Sequence, residues 1–166
     1  AIFATYSYKP VDRWSISPGL RVNHNSFNSD LDVAPRISSS LRLSERLTLN
    51  AAGGYYYQNL PLYYLSQNRS IRELPSIRAS HLIAGFDYML TSATKLTVEA
   101  YSKTYDEVPV LPGDTQNGDP GYILDQMDFY DELVPGGKAR ARGIDFMVQK
   151  KMKDNFYGTV SGSFFR

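Results

Sequence analysis

The chain has 166 residues, with 18 basic and 17 acidic side chains, no cysteine, 13 tyrosines and 8 phenylalanines. The balance of charge gives no sign of a nucleic-acid partner, and the lack of cysteine excludes disulfides and thiolate metal or redox sites. No apolar run approaches the roughly 18 residues of a membrane-spanning helix. The first residues also lack the basic segment of a signal peptide.

An alternation of apolar and polar side chains with a period of two runs along most of the chain, as in strands with one apolar face. From His81 to Leu90 the even positions are apolar and the odd positions include Asp87. No segment has a helical period, although the loop at 123–133 has room for one helical turn. In chain order, we predict strands at 1–8, 14–25, 33–43, 47–60, 78–90, 95–110, 136–152 and 155–166.

The connections between these strands alternate in length. Short turns are predicted at 9–13, 44–46, 91–94 and 153–155, and longer loops at 26–32, 61–77 and 111–135. Transmembrane barrels sort their loops in this way, with short turns at one rim and long loops at the other. Strands of about 9–11 residues also suit a bilayer. We therefore predict an all-β fold of antiparallel transmembrane β-barrel strands.

In such a barrel the apolar face meets lipid and the polar face lines the lumen. A Lys or Arg facing lipid at the midplane costs about 2–4 kcal/mol, which falls to roughly 0–1 kcal/mol near the interfaces. Arg140 and Arg142 break the pattern on the apolar side, as Phe3 does on the polar side. We expect the two arginines near the outer interface; a bulge that resets the register is the alternative. The candidate lumen-facing residues are Arg21, Arg36, Arg42, Glu99, Lys103, Asp145 and Gln149.

The two longest loops carry the candidate ligand contacts. Aromatic and basic side chains in the first suit a glycan or an anionic chelate, or serve as interface anchors. Acidic side chains in the second suit a cationic ligand or a surface partner, unless that loop folds over its own apolar cluster. The stretch at 114–119 lacks the spacing of a calcium loop. The candidates are Tyr63, Tyr64, Arg69, Arg72, Asp125 and Asp128.

Nothing in the chain suggests catalysis. The only histidines, His24 and His81, are on different strands and are interpreted as ordinary rim or lumen residues. We predict a protein that is not an enzyme and that binds no cofactor and no metal.

Three segments resemble barrel strands of TonB-dependent outer-membrane receptors. They read "VAPRISSSLRLSERLTLNAAGGYYYQ" at 33–58, "HLIAGFDYMLTSATKLTVEAYSKTYDEVPV" at 81–110 and "GKARARGIDFMVQKKMKDNFYGTVSGSF" at 137–164. The resemblance implies a barrel of about 22 strands around an N-terminal plug, of which this chain would supply about eight. It also implies a transporter of the bacterial cell outer membrane that imports an iron chelate, cobalamin or a glycan with energy passed on by TonB.

From the resemblance we expect residues 1–166 to be part of a single outer-membrane β-barrel domain, without the plug. The expected partners are outer-membrane lipid, the remaining barrel strands and plug, TonB through the plug region, and a small ligand. Two alternatives stay open. One is a self-contained small outer-membrane barrel with a structural or adhesive role, and the other is a soluble β-sandwich that acts as a binding module.

Overall fold

The computed structural model describes residues 1–66, 69–110, 133–153 and 155–166, apart from the side chains of residues 63, 64, 69 and 70. The strands are long, reaching 20 residues in β8, and nearly all of the described chain is strand or tight turn. The elements in chain order are β1 (Ile2–Thr5), β2 (Tyr8–Val11), β3 (Trp14–Asn25), β4 (Asp30–Arg42), β5 (Leu47–Gln58), α1 (Leu62–Leu65), α2 (Arg69–Arg72), β6 (Ile77–Met89), β7 (Thr94–Val110), β8 (Val134–Lys153) and β9 (Phe156–Phe165).

All nine described strands form one antiparallel sheet in which neighbours in sequence are neighbours in space, with β1 and β2 both paired to β3. The edges of this sheet are therefore β1 with β2 on one side and β9 on the other. The predicted all-β antiparallel fold is confirmed. An open single sheet is neither a closed small barrel nor a two-layer sandwich, so those two alternative architectures are wrong for the described chain.

Two details of the predicted elements are wrong. The first strand breaks after Thr5, and β2 takes up Tyr8–Val11, which we assigned partly to a turn. The loop at 61–77 contains the single-turn helices α1 and α2, where we predicted none. One turn is too short to show a 3.6-residue period, and such turns depend on tertiary packing. None of the helices among the described residues is long and apolar enough to cross a membrane.

The two faces of the sheet are in phase from strand to strand. Leu82 lies opposite Gly53 and Ser102, and Phe86 lies opposite Leu49 and Val98. The apolar face is the open one, since 64% of Leu82 is exposed. Buried side chains such as Ala79 belong to the polar face, which is the more enclosed side of the sheet. This is the reverse of a water-soluble sheet, and no second layer covers the apolar face in the part of the chain described.

Hydroxyl groups close the two short turns that follow β4 and β6. Ser44 Oγ accepts hydrogen bonds from the backbone N–H groups of Arg46 and Leu47, at 3.2 and 3.1 Å. Thr91 Oγ1 does the same for Ala93 and Thr94, at 3.2 and 3.0 Å. Serine and threonine favour turns because they satisfy backbone donors in this way. We call this end of the strands the short-turn rim, and the opposite end, which carries the loop at 59–76 and the last residues of β7, the long-loop rim.

At the long-loop rim the connections pack into a small apolar core, which we call the loop cluster. A β-bulge in β7, where Glu107 has φ 60°, changes the pairing with β8 between Tyr105 and Val108. Beyond the bulge Val108 and Val110 are buried together with Ile77, which belongs to the polar face. The loops therefore pack over the enclosed side of the sheet. The loop cluster consists of Leu60, Leu65, Ile71, Leu74, Ile77, Val108, Val110 and Leu133.

Candidate ligand-facing wall

Three large polar side chains of the enclosed face lie in one row across the strands. Arg36 of β4 lies opposite Gly54 of β5, Gly54 lies opposite His81 of β6, and His81 lies opposite Lys103 of β7. Gly54, between Arg36 and His81, has no side chain and leaves room above β5, where the side chain of Tyr56 lies. The row thus contains three nitrogen-bearing side chains, with the ring of Tyr56 beside them from the next polar-face position of β5.

These side chains form a continuous stack, which we call the aromatic–cation column: Arg36, Tyr56, His81 and Tyr105. The Arg36 Cζ lies 4.2 Å from the centroid of the Tyr56 ring. Tyr56 stacks on His81 with centroids 4.4 Å apart, and His81 meets the edge of Tyr105 at 6.4 Å. Tyr105 in turn packs against the loop cluster. The column therefore connects the long-loop rim to a guanidinium group in the middle of the polar face.

Two nitrogen atoms of this wall have no hydrogen-bond partner among the described residues. The Nε of Arg36 and the Nε2 of His81 are buried and make no hydrogen bond to the described residues. The ion pairs among those residues are Arg78–Asp106 and Lys95–Asp87, so Arg36 and Lys103 take part in none. Buried polar groups in native proteins are nearly always satisfied. The wall is therefore equipped to receive an acceptor or an anion.

Acidic groups lie nearer the short-turn rim. Asp87 accepts hydrogen bonds from Asn50 Nδ2 at 3.0 Å and Thr97 Oγ1 at 2.5 Å, and lies 3.2 Å from Lys95 Nζ. Closer to the basic row, Glu99 of β7 stands directly opposite Asp145 of β8. Arg36 and Lys103 therefore lie on the long-loop side of Glu99 and Asp145, between these carboxylates and Asp32 of β4. Because Arg36 and Lys103 are unpaired among the described residues, this middle row favours an anion.

Short side chains leave two connected grooves along the polar face beside the column. The upper groove, of 420 Å³, is bounded by Arg21, Arg36 and Tyr56. The lower groove, of 320 Å³, reaches Asn50 and Glu99. The two share Ser17, Ser38 and Ala52. The wall thus combines large cationic and aromatic groups with room beside them.

Two loops are bonded to each other at the long-loop rim. Arg72 donates hydrogen bonds to the Phe27 carbonyl oxygen, at 3.2 Å from Nη2 and 3.4 Å from Nε, and its Cζ lies 4.6 Å from the Phe27 ring centroid. Asn28 Nδ2 donates to the Leu74 carbonyl at 3.2 Å. The backbone N–H of Ser76 donates to Asp30 at 2.9 Å. These bonds hold the turn at 26–29 against the loop at 59–76.

All seven predicted lumen-facing residues occupy polar-face positions. Arg42 does so at the short-turn rim, where its Nη2 donates to the Asp12 carbonyl at 3.4 Å. The others are Arg21 on β3, Arg36 on β4, Glu99 and Lys103 on β7, and Asp145 and Gln149 on β8.

Among the predicted ligand contacts in the loops, Arg72 has a described side chain, and it donates hydrogen bonds to the Phe27 carbonyl. The side chains of Tyr63, Tyr64 and Arg69 lie outside the described part of the chain. Asp125 and Asp128, the stretch at 114–119 and, apart from Leu133, the loop at 123–133 with its possible helical turn lie there as well.

Tyr56 and Tyr105 were not among the candidates of the sequence analysis, which interpreted His81 only as an ordinary rim or lumen residue. Each occupies a polar-face position, and that parity was the available signal. Their meeting depends on the register between β5, β6 and β7, which the alternation does not specify.

The family model described as TonB dependent receptor-like, beta-barrel, matches residues 1–165. The chain belongs to the TonB-dependent receptor family. This is a family of receptors and transporters and not of enzymes, and its β-barrels are outer-membrane proteins of Gram-negative bacteria.

Solved structures share the fold of this receptor segment. The siderophore receptor PirA from Pseudomonas aeruginosa is 14% identical with a TM-score of 0.75, over 99% of this chain and 30% of that one. A mutant of the ferric enterobactin receptor PfeA from the same organism is 17% identical with a TM-score of 0.69, over 92% and 24%. The FrpB iron transporter from Neisseria meningitidis is 14% identical with a TM-score of 0.63, over 99% and 25%.

The receptor segment thus spans less than a third of the length of these structures. The search of curated proteins found no match.

Proposed function

We propose that residues 1–166 are part of the single barrel domain of a TonB-dependent transporter in the bacterial cell outer membrane, which imports a ferric chelate. In this proposal the remaining strands close the barrel around a plug, TonB supplies energy through the plug region, and outer-membrane lipid surrounds the wall. The segment itself has no catalytic role and binds no cofactor.

The observation that supports this proposal is the division of one sheet into an open apolar face and an enclosed polar face. Water-soluble sheets cover their apolar side, because each Å² of apolar surface left in water costs about 25 cal/mol. Here Ile144 and Leu20 are about half exposed, at 51% and 47%, and Leu82, Val160 and Phe164 are exposed further. Lipid is the solvent in which that exposure carries no penalty, and the enclosed polar face then borders the lumen.

The charge of the polar face favours a ferric chelate over the other two ligand classes. Arg21, Arg36 and Lys103 stand toward the long-loop rim without an ion pair among the described residues. Chelates that hold Fe(III) through oxygen donors commonly carry net negative charge. Neutral glycans have no need of unpaired cations. The structural neighbours, a siderophore receptor, a ferric enterobactin receptor and an iron transporter, support the same class.

We further propose that the loops contribute contacts above this wall. Tyr63, Tyr64 and Arg69 supply rings and charge from α1 and α2, and Asp125 and Asp128 line the longest loop. Arg72 has the separate role of holding two loops together through Phe27.

The test is uptake by the full-length receptor in cells that lack their own iron receptors. We expect uptake of iron-55 with an anionic ferric chelate, and no uptake of labelled cobalamin or oligosaccharide. Arg36→Gln should weaken chelate binding, whereas Arg46→Gln, in an exposed short turn, should leave it unchanged. Uptake of cobalamin or glycan, with no ferric chelate transported, would overturn the ligand class.

A further inference from the structure

Basic residues collect on the apolar side of β8, close to the long-loop rim. Lys138, Arg140 and Arg142 occupy alternate positions, so their side chains leave the strand on the same side as Ile144. Arg166 joins them, because its backbone exchanges hydrogen bonds with that of Arg142, at 2.8 and 2.9 Å. We call these four residues the outer basic patch.

The outer basic patch begins where the apolar face ends. In one row across the strands, Ala100, Ile144 and Phe164 lie side by side. One step toward the long-loop rim, the corresponding row contains Ser102, Arg142 and Arg166. The following row contains Thr104 and Arg140. The surface therefore changes from hydrocarbon to hydroxyl and guanidinium groups within a single step of the pleat.

A shift of strand register does not account for the position of Arg140 and Arg142 on the apolar side. Pairing between β7 and β8 is unbroken from Thr94 and Lys150 to Tyr105 and Ala139, and the bulge lies beyond it. The bulge that we considered as an explanation for Arg140 and Arg142 is therefore ruled out. Both arginines are exposed on the apolar side.

The outer basic patch also lacks an internal counter-charge. On the same side of β7, the next acidic residue, Asp106, lies two positions beyond Thr104 and is paired with Arg78 at 3.4 Å. None of Lys138, Arg140, Arg142 and Arg166 takes part in an ion pair with the described residues. The patch therefore has a net positive charge at the upper border of the membrane-facing surface.

We propose that the outer basic patch binds the phosphate groups of a phosphorylated glycolipid in the outer leaflet. A guanidinium group makes paired hydrogen bonds to phosphate, and the nearby hydroxyls of Ser102 and Thr104 are further donors. One row below, Ile144 and Phe164 are exposed and offer a surface to acyl chains, and Leu82 is exposed beside Ser102 in the row of Arg142. An anionic head group above hydrocarbon chains matches this vertical order of charge and apolar surface. The proposal concerns the outside of the barrel and does not depend on the transported ligand.

The test uses the full-length receptor in nanodiscs, with bound lipid counted by native mass spectrometry. The probes are bis-phosphorylated lipid A and the same lipid after removal of its phosphates. The wild-type receptor should retain the phosphorylated form in preference. Arg140→Gln with Arg142→Gln should lower that preference about tenfold or more, since each charge-assisted bond is worth roughly a factor of ten. Arg140→Lys with Arg142→Lys should keep much of it.

The matched control is Arg21→Gln with Arg36→Gln, which removes the same charge from the polar face and should leave lipid retention unchanged. Equal retention of both lipids by the wild-type receptor would overturn the proposal, and this comparison needs no variant to assemble. An unchanged preference in the Arg140/Arg142 double variant would overturn it as well. Iron uptake is measured separately, so failure of the transport proposal is recognised independently.

Discussion

The rings of Tyr56 and His81 stack at a centroid distance of 4.4 Å and an angle of 27°, although the two residues are not directly opposite each other. Tyr56 lies opposite Ala79, and His81 lies opposite Gly54. Each large ring therefore faces a small residue across the strand pair and leans diagonally toward the other. Such diagonal contacts are within the reach of aromatic side chains. The stack positions Tyr56 under the guanidinium of Arg36.

Removing the ring of Tyr56 should weaken ligand binding through Arg36. A cation–π contact of this kind is worth about 0.5–1 kcal/mol, so Tyr56→Leu should raise the Kd for a ferric chelate roughly two- to fivefold. The measurement is a binding titration of the full-length receptor. Tyr55→Leu, on the opposite face of the same strand, is the control and should leave the Kd unchanged. Equal effects of the two substitutions would contradict the role of the aromatic–cation column.

Adjacent residues of β6 should respond in opposite ways to a new charge. Ala84→Lys places a cation on the exposed apolar face, at an expected cost of about 2–4 kcal/mol near the membrane midplane. Ile83→Lys places the same charge on the polar face beside Ala52 and Tyr101. Heat-modifiable gel migration of the full-length receptor should show lost assembly for Ala84→Lys only. If Ile83→Lys proved the more harmful change, the two faces would have been assigned the wrong way round.

Arg72→Ala should loosen the junction between the turn at 26–29 and the loop at 59–76. It removes two hydrogen bonds to the Phe27 carbonyl and a contact with its ring, together worth about 1–2 kcal/mol. Hydrogen exchange of the full-length receptor should speed up in both segments. Arg46→Ala, in an exposed turn at the other rim, should leave exchange in these segments unaltered. Faster exchange confined to the loop at 59–76 would count against the junction.

The close approach of β4 and β5 should make Gly54 intolerant of any side chain. A Cβ at this position would lie 2.8 Å from the Pro35 carbonyl oxygen and 2.9 Å from the Cα of Arg36, so the backbone would have to shift. Overpacking of this kind typically costs about 1–3 kcal/mol. Gly54→Ala should lower the urea midpoint of the refolded full-length receptor.

Gly158→Ala is the matched control for Gly54, because its Cβ would meet the Phe156 ring only at an ordinary 3.8 Å. We expect an unchanged urea midpoint for this variant. An equal loss of stability in both variants would mean that the effect comes from strand propensity and not from the close approach.

The amino-acid sequence by itself determined which side of each strand is apolar. Alternation is a local property, since successive side chains of a strand point to opposite faces whatever the strand pairs with. Strand existence and the order of short and long connections follow from the same local signals. For this reason the positions of Arg21, Arg36, Glu99, Lys103 and Asp145 on one polar face were predictable.

The tertiary structure alone decided which of these residues meet. Register joins positions far apart in the chain, such as Arg36, Gly54 and His81 or Arg142 and Arg166, and no local period encodes it. The single-turn helices in the loop at 59–76 likewise depend on Leu65 and Ile71 being buried with Val108. Side-chain parity is a property of each strand, whereas the aromatic–cation column, the outer basic patch and the loop cluster result from how the strands pair and pack.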